Sequence, residues 1–283
     1  MKRITLLFLF TCSFCFGIKK EAMNFAPNIE SPSEEKKIVV VVPSYNNKNY
    51  YKGNLDSIFS QKYSNFRVIY TNDASTDDTG KLVQEYVRNL NSPIDFTYIE
   101  NDKNCGALSS IYTMIHLCEN DEIVCNIDGD DKLLHDGVLA RLNRAYADDH
   151  VWMTNGSYYC KNSPQVNKPM SVWVAKQGKH RIYNFRWSHI KSFYAGLFKQ
   201  IPLSRWQENG EFYQIAWDVP MALYLLDLAR DHAYFIPDLL YEYNDNNPLN
   251  DGKKPKNRIN EIRRKVWALP PLAPLNSKDD FIG

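Results

Sequence analysis

The chain has 283 residues, 44% of them hydrophobic, enough to bury a sizeable core in one large domain or two small ones. Its 34 basic and 33 acidic side chains leave a net charge of +1, so no overall field draws it to nucleic acid and any charge preference must be local. Aromatic residues make up 13%, a composition that core packing and sugar-handling surfaces share.

Residues 1–17 read as a secretory leader or anchor. Lys2 and Arg3 form a basic start, Ile4 to Phe16 is mostly apolar, and Cys15 and Gly17 suit cleavage. The stretch is short for a membrane span, which needs about 20 apolar residues. Residues 18–36, rich in Glu, Pro, Ser and Lys, read as a linker. The expected location is therefore the secretory pathway, exported or tethered through this start. Beyond the leader stand Cys105, Cys118, Cys125 and Cys160, whose spacing offers no zinc motif; buried free thiols are the expectation.

Ile38 to Val42 is a β-branched run without polar interruption, the pattern of a strand buried on both faces. Pro43-Ser44-Tyr45-Asn46-Asn47 ends it with turn chemistry, and Leu55, Ile58 and Phe59 follow at helical spacing. Phe66 to Tyr70 reads as a second strand, closed by the run from Asn72 to Thr79, with Ser75 or Thr76 expected to cap a helix beginning near Asp77. Ile94 to Ile99 gives a third strand, and Asn104-Cys105-Gly106-Ala107 opens a helix. Ile123 to Ile127 is a fourth strand and ends at Asp128-Gly129-Asp130-Asp131. Strands alternating with helices imply a parallel, right-handed βαβ sheet.

The strand carrying Asp128 and Asp130 delivers them at its carboxyl end, where open α/β sheets bind ligands. One residue apart, the two carboxylates can share a ligand. Oxygen donors alone suit a hard cation, Mg²⁺ or Mn²⁺, which takes one or two carboxylates plus phosphates. On these residues alone, an acidic surface turn is the favoured reading, and the ligand site depends on what precedes and follows it.

Beyond residue 150 the alternation loosens. Val151–Cys160 and Ser171–Ala175 read as strands, and residues 179–198 are aromatic and basic. Trp217-Asp218-Val219-Pro220 opens a helix from Met221 to Arg230, and Phe235–Tyr243 is a closing strand. Asp218 reads as a helix cap in its own right. Residues 253–265 carry seven basic side chains and one acid, with Ile259, Ile262 and Val266 at helical spacing. That segment, 253–266, suits either an anionic membrane surface or packing on the domain, and packing is the preferred expectation.

Four motifs in order, at Pro43–Asn46, Asn72–Thr79, Asn104-x-Gly106 and Asp128–Asp131, resemble the inverting family 2 glycosyltransferases of the GT-A fold. The resemblance covers about residues 36–245, densely to about 140. It implies an α/β fold with a GT-A, Rossmann-like nucleotide-binding sheet (37–140) and a mixed acceptor-binding second half (141–245), followed by a basic, Pro-containing extension (246–283). It further implies a metal-dependent transferase taking a nucleotide-diphosphate sugar, UDP-linked by expectation, to a hydroxyl on a glycan, lipid or protein, with no nucleic-acid partner. Carried over residue by residue, Pro43, Tyr45, Asp73 and Asp128 hold the nucleotide and Asp130 the Mn²⁺ or Mg²⁺. Asp218 then becomes the base, with Glu208 and Glu211 in reserve. One position departs from the family: Asn72 stands where an aspartate is usual. A binding protein on a decayed transferase scaffold is the rival reading. A sugar-phosphate nucleotidyltransferase is disfavoured, because the first loop lacks the glycines that wrap a triphosphate.

Overall fold

The computed structural model describes residues 34–90, 94–161, 167–182 and 187–283; the leader, most of the linker, Tyr183 and Arg186 lie outside them. In the first half, β1 (Ile38–Ser44), α1 (Tyr51–Phe59), β2 (Phe66–Asn72), α2 (Thr79–Arg88), β3 (Asp95–Glu100), α3 (Ala107–His116) and β4 (Ile123–Asn126) alternate as the sequence implies. β1 is buried at all its positions and lies between β2 and β4, parallel to both. β2 pairs in parallel with β3. Each fully enclosed Val or Ile of β1 contributes roughly 1.5–3 kcal/mol of burial, which explains why no polar residue interrupts the run.

The second half contains β5 (Lys132–Leu133), α4 (Val138–Tyr146), β6 (Met153–Cys160), α5 (Val172–Lys176), β7 (Lys191–Tyr194) and α6 (Ala195–Lys199). After them come the hairpin β8 (Gln207–Glu208) and β9 (Glu211–Phe212), then α7 (Asp218–Ala229), β10 (Ala233–Tyr243), α8 (Lys256–Ala268) and α9 (Asp279–Ile282). The main sheet has eight strands in the order β3-β2-β1-β4-β7-β6-β10-β5. β7 runs antiparallel to both β4 and β6, while β6 and β10 are parallel, so the sheet turns mixed beyond β4. The β6–β10 register slips between Ile236 and Leu239, where Pro237 cannot donate to the ladder.

Two sequence expectations are corrected. Ser171–Ala175 is not a strand: the Ser171 hydroxyl accepts from the Val174 N–H (3.2 Å) and caps the short helix α5. The second helix begins at Thr79 rather than Asp77, and neither Ser75 nor Thr76 caps it, because both side chains bond to residues of neighbouring loops.

The described residues form one compact unit, and the basic C-terminal segment is built into it. Ile262 and Val266 of α8 are buried, so this helix packs its apolar stripe and presents Lys256, Arg263 and Arg264 outward. α8 is fastened by Arg181. Its guanidinium donates to the Val266, Trp267 and Leu269 carbonyls at the helix end and forms an ion pair with buried Asp227 of α7 (2.5 Å). His180 Nε2 shares the Asp227 carboxylate at 2.9 Å. Burial opposes ionisation of Asp227, yet His180 and Arg181 hold its carboxyl below the ordinary range. Arg181 is thus neither a solvated rim residue nor a free anion ligand. At the chain end, Phe281 of α9 sits against Trp152 and Tyr194. Among the described residues the four cysteines are free, and burial pushes the Cys118 thiol up to about 12.

Candidate active site

Three loops at the carboxyl ends of β1, β2 and β4 are stitched together by backbone and side-chain hydrogen bonds. The Gly129 N–H donates to the Pro43 carbonyl (3.1 Å) and the Asp73 N–H to the Ser44 carbonyl (2.8 Å). Asn46, left-handed at φ 54, receives the Thr76 N–H on its side chain and donates its own N–H to the Ser75 hydroxyl. A Cβ on Gly129 would stand 2.9 Å from the Pro43 carbonyl and 2.6 Å from the Asn47 amide, so only glycine allows this approach. Pro43 is buried and Tyr45 half-buried beside the junction.

Asp73 is nearly enclosed. Its Oδ1 accepts from the Asn101 amide (2.7 Å) and the Cys105 N–H (2.9 Å), and its Oδ2 from the Gly106 N–H (2.8 Å). Gly106 needs its glycine, because its φ is 87. Of the four lone-pair sites of Asp73, one remains, on Oδ2. Asn72 now has a reason. Its amide donates to Glu100 Oε1 (2.7 Å) and its carbonyl accepts from Ser75, whereas an aspartate there would meet a carboxylate.

The Asp128–Asp131 turn is braced from behind. The Asn54 amide donates to the carbonyls of Asp128 (3.0 Å) and Asp131 (2.8 Å). The Tyr241 hydroxyl accepts the Asp128 N–H and donates to Asp131 (2.7 Å), whose other oxygen takes the Asn244 N–H. Asp131 is therefore structural. Asp130 accepts from the Asn247 amide (2.7 Å). The Asp128 carboxylate accepts no hydrogen bond among the described residues. Burial raises its pKa to about 6; Lys191 opposes the rise, and Asp130, Asp218 and Asp251 add to it. Burial also raises Asp130, against the Asn247 hydrogen bond.

Asp218 is the first residue of α7, directly after the N-cap Trp217, which makes no side-chain cap, and no hydrogen bond to the Asp218 carboxylate is seen among the described residues. Trp217 precedes it, after the left-handed Ala216 (φ 54), whose N–H is held by the Asp251 carboxylate (2.9 Å). The field of Asp218 reaches Asp128, so the ends of β4 and α7 face one site. The reserve bases fare differently. Glu208 is paired with Lys265 and Arg258, which hold its carboxyl low, and Glu211 is exposed on the β8–β9 hairpin. Trp187 is core, its indole N–H donating to the Thr154 carbonyl (3.2 Å).

Sequence reading missed several neighbours. Lys191 is buried on β7 and places its ammonium 4.5 Å from the centroid of the Trp217 ring, a desolvated cation–π contact of about 2 kcal/mol. His189 stacks on Tyr241 at 4.3 Å, and burial, then Lys191, holds its imidazole well below the usual histidine range. It is no cation for an anionic ligand. Asn244, Asn247 and Asp251 come from beyond the last sheet strand and close one side of the acidic turn.

Among the described residues no group of three or more His, Cys, Asp or Glu side chains is arranged to hold a metal. Two desolvated carboxylates, Asp128 and Asp130, are nonetheless a donor set that fits Mg²⁺ or Mn²⁺, whose remaining positions water and phosphate fill.

A mainly parallel sheet that curls into a mixed half, with acidic residues at the end of β4, defines a GT-A Rossmann-like protein. Solved structures share this fold. Staphylococcus aureus TarS 1–349 in complex with UDP-GlcNAc matches with a TM-score of 0.61 at 17% identity, over 81% of this chain and 65% of that one. Mannosyltransferase PcManGT from Pyrobaculum calidifontis in complex with GDP-Man and Mn²⁺ matches at 0.56 and 20% identity, over 79% and 60%. The family model for glycosyl transferase family 2 matches residues 39–202, and the chain belongs to that family. Glycosyltransferase GlyA of Streptococcus pneumoniae serotype 4 is 31% identical over 133 residues, which cover 46% of this chain but 18% of that longer protein.

Proposed function

We propose that this chain is an inverting glycosyltransferase that moves a sugar from a nucleotide-diphosphate donor, UDP-linked by preference, to an acceptor hydroxyl. The carrying observation is the convergence of Asp128 and Asp130, at the end of β4, with Asp218 at the start of α7. The relatives support the reading: TarS was solved with UDP-GlcNAc and PcManGT with GDP-Man and Mn²⁺.

In this reading Pro43 and Tyr45 flank the base, Asp73 offers it the remaining Oδ2 lone pair, and Asp128 lies by the ribose. Asp130, with Asp128, would hold Mn²⁺ or Mg²⁺, which when bound offsets the charge of the departing diphosphate. Asp218 takes the proton of the acceptor hydroxyl as its oxygen attacks the anomeric carbon from the face opposite the diphosphate. The bond from that carbon to the phosphate oxygen breaks and its electron pair leaves with the nucleotide, so the centre inverts.

The test is a screen of the full chain with UDP-, GDP-, dTDP- and CMP-sugars, in Mn²⁺, Mg²⁺ or EDTA. We expect metal-dependent release of one nucleotide. Asp130→Ala should abolish it, and Asp218→Asn should lower turnover by roughly 10²–10⁴-fold while leaving donor affinity within about threefold. Full turnover in Asp130→Ala would remove the metal assignment. Binding without turnover in the wild type, across varied acceptors, would favour a carbohydrate- or nucleotide-binding protein instead. We also propose export or tethering through residues 1–17, which N-terminal sequencing of the protein recovered from its native cell would test.

A further inference from the structure

Lys191 is 3% exposed, the lone buried lysine or arginine among the described residues. Removing an ammonium from water is costly unless its charge is used. Other lysines in this fold use theirs: Lys199 donates to the Cys118 carbonyl and the Asn120 side chain, and Lys278 pairs with Asp149 at 3.0 Å. Lys191 makes no hydrogen bond and no ion pair among the described residues. It meets the face of Trp217, at 4.5 Å, the field of Asp128 and the neutral imidazole of His189, none of which accepts its N–H donors. The antiparallel register sets Lys191 opposite Asn126, two residues before Asp128, at the ligand-binding end of the sheet. Trp217 is the residue before Asp218. The ammonium therefore lies between the two ends of the proposed site with its three N–H donors unspent.

A ligand that satisfies such a group carries several acceptor oxygens and negative charge. Asp128 alone is a poor match, because no hydrogen bond joins the two. We infer that Lys191 is a direct ligand of the donor's diphosphate, a fixed cation that grips the leaving group from β7 while Asp128 and Asp130 serve the metal. This rests on the nucleotide-sugar reading above and adds a residue to it. A divalent ion that completes its shell from phosphate leaves other phosphate oxygens exposed. In a crevice lined by Asp128, Asp130, Asp218 and Asp251, those oxygens need a cation that does not diffuse away. A lysine on a central strand, with one face of its ammonium against an indole, meets that need at little reorganisation cost.

The alternative is that Lys191 only balances Asp128. Equilibrium binding to the full chain separates the two, with UDP and GDP, their monophosphates and their nucleosides as probes, in Mn²⁺ and in EDTA. A charge-assisted contact predicts that Lys191→Met weakens diphosphate binding in EDTA by about 10–100-fold and leaves nucleoside binding within about twofold, with Lys191→Arg recovering most of the loss. Diphosphate affinity unchanged by Lys191→Met in EDTA, with loss confined to the Mn²⁺ arm, would overturn the inference and leave the transferase reading intact. A wild type that binds no diphosphate, with or without metal, would defeat both. Should Lys191→Met not fold, the wild type decides: in EDTA it must bind the diphosphate at least about tenfold more tightly than the nucleoside, and equality overturns the contact.

Discussion

Burial of Asp128 costs this fold stability at neutral pH, and replacing it with asparagine should make the metal-free protein more stable. Its carboxyl titrates at about 6 in the folded chain against an ordinary value of 3.8. At 1.36 kcal/mol for each pH unit, the gap corresponds to about 3 kcal/mol against folding at neutral pH. The direction follows from proton counting. Between about pH 4 and pH 6 the folded protein keeps a proton that the unfolded chain has lost, so stability falls as pH rises through that window. Below it the two states are protonated alike and the penalty vanishes. The groups facing Asp128 include Lys191 from β7, Asp130 and Asp131 on its own turn, Asp218 from α7, Tyr241 and Tyr243 from β10 and Asp251 from the C-terminal segment, and the opposing field of Lys191 is already included in that value. Asparagine keeps the shape and removes the charge. For a unit of this size, about 3 kcal/mol amounts to a rise in Tm of roughly 5–10 °C. Thermal unfolding in EDTA at pH 7.5 and pH 4 checks it: the variant should melt higher at the first and together with the wild type at the second. Added Mn²⁺ should raise the wild type alone. A variant that melts lower than the wild type at pH 7.5 would refute the reasoning.

Other consequences are local. Gly129→Ala should part the β1 and β4 loops, because its Cβ meets the backbone of Pro43 at 2.9 Å; nucleotide affinity should fall about tenfold or more, measured by calorimetry, with the fold's Tm lowered only modestly. Arg181→Met removes the guanidinium from buried Asp227, leaving it His180 and the Leu272 N–H, and uncaps α8, which should cost about 3 kcal/mol and expose the segment around Leu269 to proteolysis before global unfolding. The outward basic face of α8 we propose as a surface for anionic lipid. Replacing Lys256, Arg263 and Arg264 with glutamate should reduce sedimentation with phosphatidylserine vesicles by at least about tenfold, and a wild type that ignores those vesicles would leave the face as plain solvated charge.

How far the sequence could be read follows from which interactions are local. The strand Ile38–Ser44 and the strand ending at Asn126 announce themselves, because burial on both faces forces a continuous apolar run. The Asp128–Asp131 turn is visible as a turn at a strand end, but by itself it reads as an acidic surface loop, and only the other three motifs in order set it apart. Ser171–Ala175 misleads because valines alternate through it, while the Ser171 cap that turns it into a helix is a one-residue signal. Ser75 and Thr76 mislead in the opposite sense: they have cap chemistry but spend it on loops some 30 residues away. No local pattern reveals Asn247 on Asp130, 117 residues apart, or Asp251 holding the Ala216 N–H; in sequence both sit in a polar stretch that reads as a tail.

Lys191 is the instructive case. Lysine in a sequence reads as surface, yet it alternates with Phe193 on a strand whose four residues are all buried. A lone cation in an otherwise enclosed strand is the signal that composition hides, and it becomes legible only once β7 is known to lie between β4 and β6. The same topology underlies the proposed site. β7 is the first antiparallel strand in the sheet, placed where the parallel half ends and the mixed half begins. A side chain at its start therefore reaches the acidic turn of one half and the α7 turn of the other. The proposed donor, metal and acceptor chemistries meet at that seam, and a fixed positive charge there acts on all three.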